Sequence, residues 1–221
     1  MSEEIFMTSE FDFPEDRIDS FVDWFATRLA PDMLKSGFYT CGCYRAIEGK
    51  TTLIDVYQAL TSDVFLSPER KAGKDRRDKH PYAEVLNSLC SNYATTVYGY
   101  IQLPGSFGDP LANIESDFVS FLRFDLSEHS QAAFVNWLKT DEMPRLRALG
   151  ATSLRLVYRT KNQTSVTDRP RCVLFTEWDR RPPALEELTG ALAKGLDQNA
   201  NLSGFTGVRT YPWWSDKPEV A

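Results

Sequence analysis

Histidine and cysteine are scarce in this chain of 221 residues, and their scarcity narrows the chemistry. There are only two histidines, His80 and His129. Neither stands in a metal-ligand spacing, and no Cys/His cluster makes a zinc pattern. Cysteines 41, 43, 90 and 172 are too few for a disulfide framework in a chain this long, so free thiols are expected. A basic excess is also missing. A net charge of −6 argues against nucleic acid as a partner, because phosphate binding needs a basic surface. No apolar run approaches the roughly 20 residues of a membrane span, and "MSEEIFMTSE" lacks the layout of a signal peptide. A soluble, cytoplasmic protein is therefore expected. The glycines form no G-x-G-x-x-G after a strand and no phosphate loop, so no nucleotide cofactor is implied.

What the chain does have is the same statement twice. "FDFPEDRIDSFVDWFATRLAPDMLKSG" (11–37) and "FDLSEHSQAAFVNWLKTDEMPRLRALG" (124–150) align without gaps at an offset of 113. Phe11/Phe124, Asp12/Asp125, Trp24/Trp137, Pro31/Pro144 and Gly37/Gly150 are among the identities, which marks an internal repeat. Each half then reads as strand, helix, hairpin, helix, strand. In the first half these are "EEIFMTSEFDF", 14–36, "FYTCGCYRAI" with "TLIDVYQAL", about 82–93, and "TTVYGYIQLPG". The second half has "DFVSFLRFDL", 127–149, "TSLRLVYRT" with "RCVLFTEW", "PALEELTGALAKGLDQ" and "FTGVRTYPWW". The order is βαββαβ, the ferredoxin-like arrangement. The expected units are 1–106, carrying a long basic loop at 67–81, and 114–221, joined by the linker "GSFGDPLANIES".

A βαββαβ sheet carries both helices on one face and must bury the other. Two such sheets in one chain solve this by packing into a barrel. In topology, length and repeat, over nearly the whole chain, the sequence resembles the dimeric α+β barrel superfamily, in particular its tandem, EthD-like members. The resemblance implies an α+β fold of two ferredoxin-like repeats forming one barrel, existing as a monomer or homodimer. It also implies a pocket between sheet and helices that works without a metal or organic cofactor.

The candidate residues follow from that expectation. His80 lies in the basic stretch "RKAGKDRRDKHPY" and suits proton transfer near neutrality. Tyr39 or Tyr82 would polarise an oxygen. Arg77, Arg45 or Arg123 would hold a carboxylate. The expected activity is a cofactor-independent isomerase or lyase acting on a small unsaturated carboxylate, such as an aromatic catabolite or ring-cleavage product. The alternatives are a non-enzymatic ligand or protein interaction module and an EthD-like or antibiotic-biosynthesis-type monooxygenase. His129 reads as a surface residue of the second repeat's first helix. A lone histidine could hold haem iron, as in haem-binding relatives, but no haem motif is found. Cys41 and Cys43, two apart on a strand, share a face and read as buried apolar groups. Arg123 is expected to pair with Glu177 or Asp125, and Asp12 and Asp125 to do a shared structural job such as helix capping. Tyr211, Trp213 and Trp214 read as packing or interface aromatics.

Overall fold

The computed structural model of the protein describes residues 4–103, 105–164, 169–197 and 200–212. The first half contains β1 (Ile5–Asp12), α1 (Ile18–Trp24), α2 (Ala30–Lys35), β2 (Phe38–Gly49), β3 (Leu53–Ala59), α3 (Pro68–Asp78), α4 (Pro81–Leu89) and β4 (Ser91–Ile101). The second contains β5 (Phe118–Phe124), α5 (Gln131–Trp137), α6 (Met143–Ala148), β6 (Ala151–Thr164), β7 (Cys172–Trp178), α7 (Leu185–Leu192) and β8 (Ser203–Tyr211). All pairings are antiparallel, and the eight strands close into one barrel in the order β1-β3-β2-β8-β5-β7-β6-β4. Two ferredoxin-like sheets are thus stitched edge to edge, through β2–β8 and β4–β6, so no strand edge is left open. No helix among the described residues is long and apolar enough to cross a membrane.

Strand alternation divides the side chains between two environments. Along β1, Ile5, Met7 and Phe11 join the apolar cluster under the first-half helices, while Phe6 joins the cluster inside the barrel with Tyr44, Tyr98, Phe121 and Phe175. The linker seals one end of that interior. Ile114 packs inside, and the carbonyls of Pro110 and Ala112 accept from Arg155 at 2.8 and 3.0 Å.

The repeat extends to backbone irregularities. A π-turn segment spans Phe25–Leu29 in the first half and Leu138–Glu142 in the second, at the same offset of 113. Each lies just ahead of a proline, Pro31 or Pro144, whose ring crowds the preceding turn and whose missing N–H breaks the helical ladder. Gly37 (φ +104°) and Gly150 (φ +103°) then end the helices in the left-handed region.

Several expectations are corrected. The basic stretch 67–81 is mostly helix: α3 begins at Pro68, capped by Ser67, whose Oγ accepts from the Arg70 N–H at 3.1 Å. The next helix stops at Leu89, and β4 begins at Ser91, earlier than its β-branched run suggested. His129 sits in a turn ahead of α5 rather than in the helix, and is exposed. Asp12 and Asp125 share a job, but not capping. Asp12 Oδ1 accepts from the Thr52 N–H at 3.1 Å, and Asp125 Oδ1 from the Arg171 N–H at 2.9 Å, so each fastens the start of the neighbouring hairpin strand. Trp213 and Trp214 lie outside the described residues.

Arg123 pairs with Glu10, while Glu177 belongs to Arg155. The reason is symmetry: positions 10 and 123 are equivalent in the repeat and meet inside the barrel, where Glu10 is fully buried and Arg123 nearly so. Arg169 adds a second contact to Glu10 at 2.7 Å. Removing one member of such a pair strands a buried charge. Arg123→Met should therefore cost about 3–5 kcal/mol in urea unfolding, and adding Glu10→Gln should recover part of that loss.

Candidate functional site

A cavity of about 480 Å³ opens between the helix-facing side of the first sheet and α1, α3 and α4. That volume lies within the range of small-molecule sites. Much of its wall is apolar, built from residues such as Met7, Phe11, Phe21, Trp24, Met33 and Leu86. The floor carries an acid. Along β3, Leu53, Asp55, Tyr57 and Ala59 all turn to the helix side, so alternation places a carboxyl group in the middle of an apolar surface.

Asp55 is 2% exposed. Its Oδ2 accepts from the Tyr57 hydroxyl at 3.3 Å, and its Oδ1 has no hydrogen-bond partner. Burial raises its pKa from 3.8 to about 7, against smaller opposing effects of the Cys43 thiol and the Tyr57 hydroxyl. An acid so tuned is divided between its two protonation states near neutral pH, as a proton-transfer group requires. Around it, the hydroxyls of Ser9, Thr95 and Tyr93 form a chain: Ser9 to Thr95 at 3.1 Å, Thr95 to Tyr93 at 3.0 Å. The Trp24 indole N–H, also bordering the cavity, has no partner.

Repeat register explains why the equivalent space in the second half is filled among the described residues. Ser9 pairs with Asp55 on β1 and β3, and the equivalent pair on β5 and β7 is Leu122 with Leu174. Ile5 pairs with Ala59, and its counterpart Phe118 pairs with Trp178. Trp137, the counterpart of Trp24, lies so close over Gly195 that no side chain would fit there. In the second half these larger apolar groups fill the layer between sheet and helices.

The residues named from sequence fall in several places. Arg77 borders the cavity and bonds Asp32 at 3.0 Å. His80 shares a separate groove of about 200 Å³ with Arg77 and Asp32, and its Nδ1 accepts from the Tyr82 N–H at 3.2 Å as the cap of α4. Tyr82 packs on the edge of the first-half core. Tyr39 lines another surface pocket with Asn113, Ile114 and Arg209. Arg45 is ion-paired with Glu15, and Arg123 lies inside the barrel. Asp55 itself escaped notice. The available signal was a single acid in the otherwise apolar strand "TLIDVYQAL".

All four cysteines are free, as expected. Cys41 and Cys43 are buried in the first-half core, and burial pushes both thiols up, which disfavours the reactive thiolate. Among the described residues no group of three metal-binding side chains occurs.

The chain matches no protein-family model and no curated protein at a significant level. Solved structures do match it in fold. An anthrone oxidase-like protein aligns with a TM-score of 0.59 at 11% identity, over 100% of this chain and 97% of its own. A protein of Fusobacterium nucleatum subsp. nucleatum, described provisionally as a monooxygenase, aligns at 0.58 and 12% identity, over 94% and 93%. A haem-binding protein from Thermus thermophilus aligns at 0.51 and 10% identity, over 95% and 92%. The fold is that of the dimeric α+β barrel proteins, here closed within a single chain.

These neighbours correct the expected isomerase or lyase chemistry, since they are described by oxidative or haem-related functions. The structure adds a physical objection: the histidine meant to move the proton caps a helix outside the cavity that holds Asp55. The same cavity offers haem iron no suitable ligand. Haem iron takes a histidine, thiolate, methionine or tyrosinate ligand. No histidine lines the space, and burial raises the Cys90 thiol to about 11. Tyr93 and Tyr57 are engaged with Thr95 and Asp55, and the two methionines of the wall, Met7 and Met33, are packed in the first-half core with the Met33 sulfur against the Arg70 guanidinium. This donor set does not fit haem.

The Asp55 shift makes a stability prediction. Between pH 3.8 and about 7 the folded state keeps a proton that the unfolded chain releases, so stability falls as pH rises through that window. The full cost is present above it. Asp55→Asn should therefore melt higher than wild type at pH 8, by a margin on the order of a few kcal/mol, and match it near pH 4.

Proposed function

We propose that the protein is an oxidase or monooxygenase in which Asp55 removes a proton from an aromatic substrate, a phenol or an anthrone-like ketone, held in the first-half cavity. The observation that carries this reading is the buried Asp55 carboxyl group, with one unpartnered oxygen and a pKa near 7, on the floor of a largely apolar space. The oxidative direction is supported by the fold neighbours described as an anthrone oxidase-like protein and as a monooxygenase. Within the superfamily we read the chain as a tandem member of the EthD-like or antibiotic-biosynthesis-type monooxygenases. The barrel that two chains would otherwise build is complete here, so we expect a monomer to be active.

The work asked of the protein is limited. Asp55 as carboxylate takes a proton from an acidic C–H or O–H, and the apolar wall keeps the resulting delocalised anion away from bulk water. That anion gives its electrons to dioxygen. For an anthrone methylene the balance is CH₂ + O₂ → C=O + H₂O, with the Asp55 proton passing to the departing oxygen. The unpartnered Trp24 N–H is a donor available to the substrate oxygen as negative charge develops there.

The test is oxygen consumption with a panel of anthrones and polyphenols. Wild-type kcat/KM should rise with pH and level off above about 7 as Asp55 ionises. Asp55→Asn should lower it by roughly 10²–10⁴-fold, with the fold retained. Wild-type turnover by the variant would sink the proposal.

A further inference from the structure

Three basic side chains of α3 reach the cavity, and only two are neutralised. Lys74 pairs with Asp78 at 2.8 Å, and Arg77 with Asp32 at 3.0 Å. Arg70 makes no ion pair among the described residues. Its side chain contacts the sulfur of Met33, and its guanidinium lies over the Phe38 ring at 5.5 Å. It is only partly exposed, and burial lowers its pKa. A partly buried guanidinium whose protein contacts are a sulfur and an aromatic face has donors left over for a ligand in the cavity it borders. Asp55 is not its counter-ion: one oxygen of that carboxyl group takes the Tyr57 hydroxyl and the other has no partner.

Position matters as much as charge. Arg70 belongs to the first turn of α3, fixed by the Ser67 cap, and the far end of the helix is clamped to α2 by Arg76 and Arg77 on Asp32. Gly73 brings the two helices together, since a Cβ there would come within 3.0 Å of the Asp32 side chain. The guanidinium is therefore held on a rigid wall, while the acid lies in the floor strand.

We infer that Arg70 is a specificity-determining residue that selects aromatic ligands bearing a carboxylate, which it binds on the helix wall while the ring system lies over Asp55. A carboxylate matches the guanidinium fork in a bidentate arrangement, and a neutral group does not. This inference rests on the cavity proposed above as the substrate site, but it concerns binding and not oxidation.

The probes are 2-naphthoate and its neutral counterpart 2-naphthamide, titrated by calorimetry at pH 6, where the naphthoate is ionised and Asp55 largely is not. Wild type should bind the acid at least tenfold more tightly than the amide. Arg70→Gln should abolish that preference while leaving the amide affinity unchanged, and Arg70→Lys should keep part of it. The same titrations in Asp55→Asn need no turnover, so a failure of the oxidase reading leaves their outcome interpretable. Equal weakening of both ligands in Arg70→Gln would show a merely structural role and overturn the inference. So would an acid preference that survives the substitution.

Discussion

Glu10 and Arg123 face each other because the fold has an approximate two-fold axis, and that axis sets the terms for everything else. Equivalent positions of the two repeats meet inside the closed sheet, so identical residues there would confront their own copy. Two buried glutamates would repel without compensation. In this chain one copy is acidic and the other basic, and the contact becomes an ion pair reinforced by Arg169. The duplication thus gains what a symmetric pair of chains lacks: halves that differ where they touch.

The same freedom to diverge accounts for the cavity beside Asp55. Leucines, two tryptophans and a glycine close the second layer, while Ser9, Asp55 and Ala59 leave the first open. One half became a packed support and the other a container. Asp55 is tolerated at a cost in stability because the eight strands close without an open edge and the linker seals one end of the interior. A desolvated acid with a raised pKa at the floor of a cavity is a physical ground for placing a candidate site there.

The acid and the arginine of the proposed site are separated in space and in origin. The acid comes from the sheet, which is rigid and buried on both faces. The unpaired guanidinium comes from α3, a helix inserted into the first repeat at a place where the second has only the short run 179–184 before α7. Recognition built on an added helix can change without disturbing the barrel beneath it.

The βαββαβ order of each half, apart from the helix α3, and the α+β barrel were legible in the sequence by itself, because period-2 and period-3.6 patterns are local. Helix-ending glycines at equivalent positions were legible for the same reason. The site was not. The sequence drew attention to His80, Tyr39 and the arginines by chemical type, yet a side chain's role depends on which face it turns to and what lies opposite. Alternation along "TLIDVYQAL" could have marked Asp55 as odd. Its raised pKa, however, follows from residues brought over it from β1, β4 and four helices. Desolvation is a property of the packed surroundings, and only the tertiary structure assembles those.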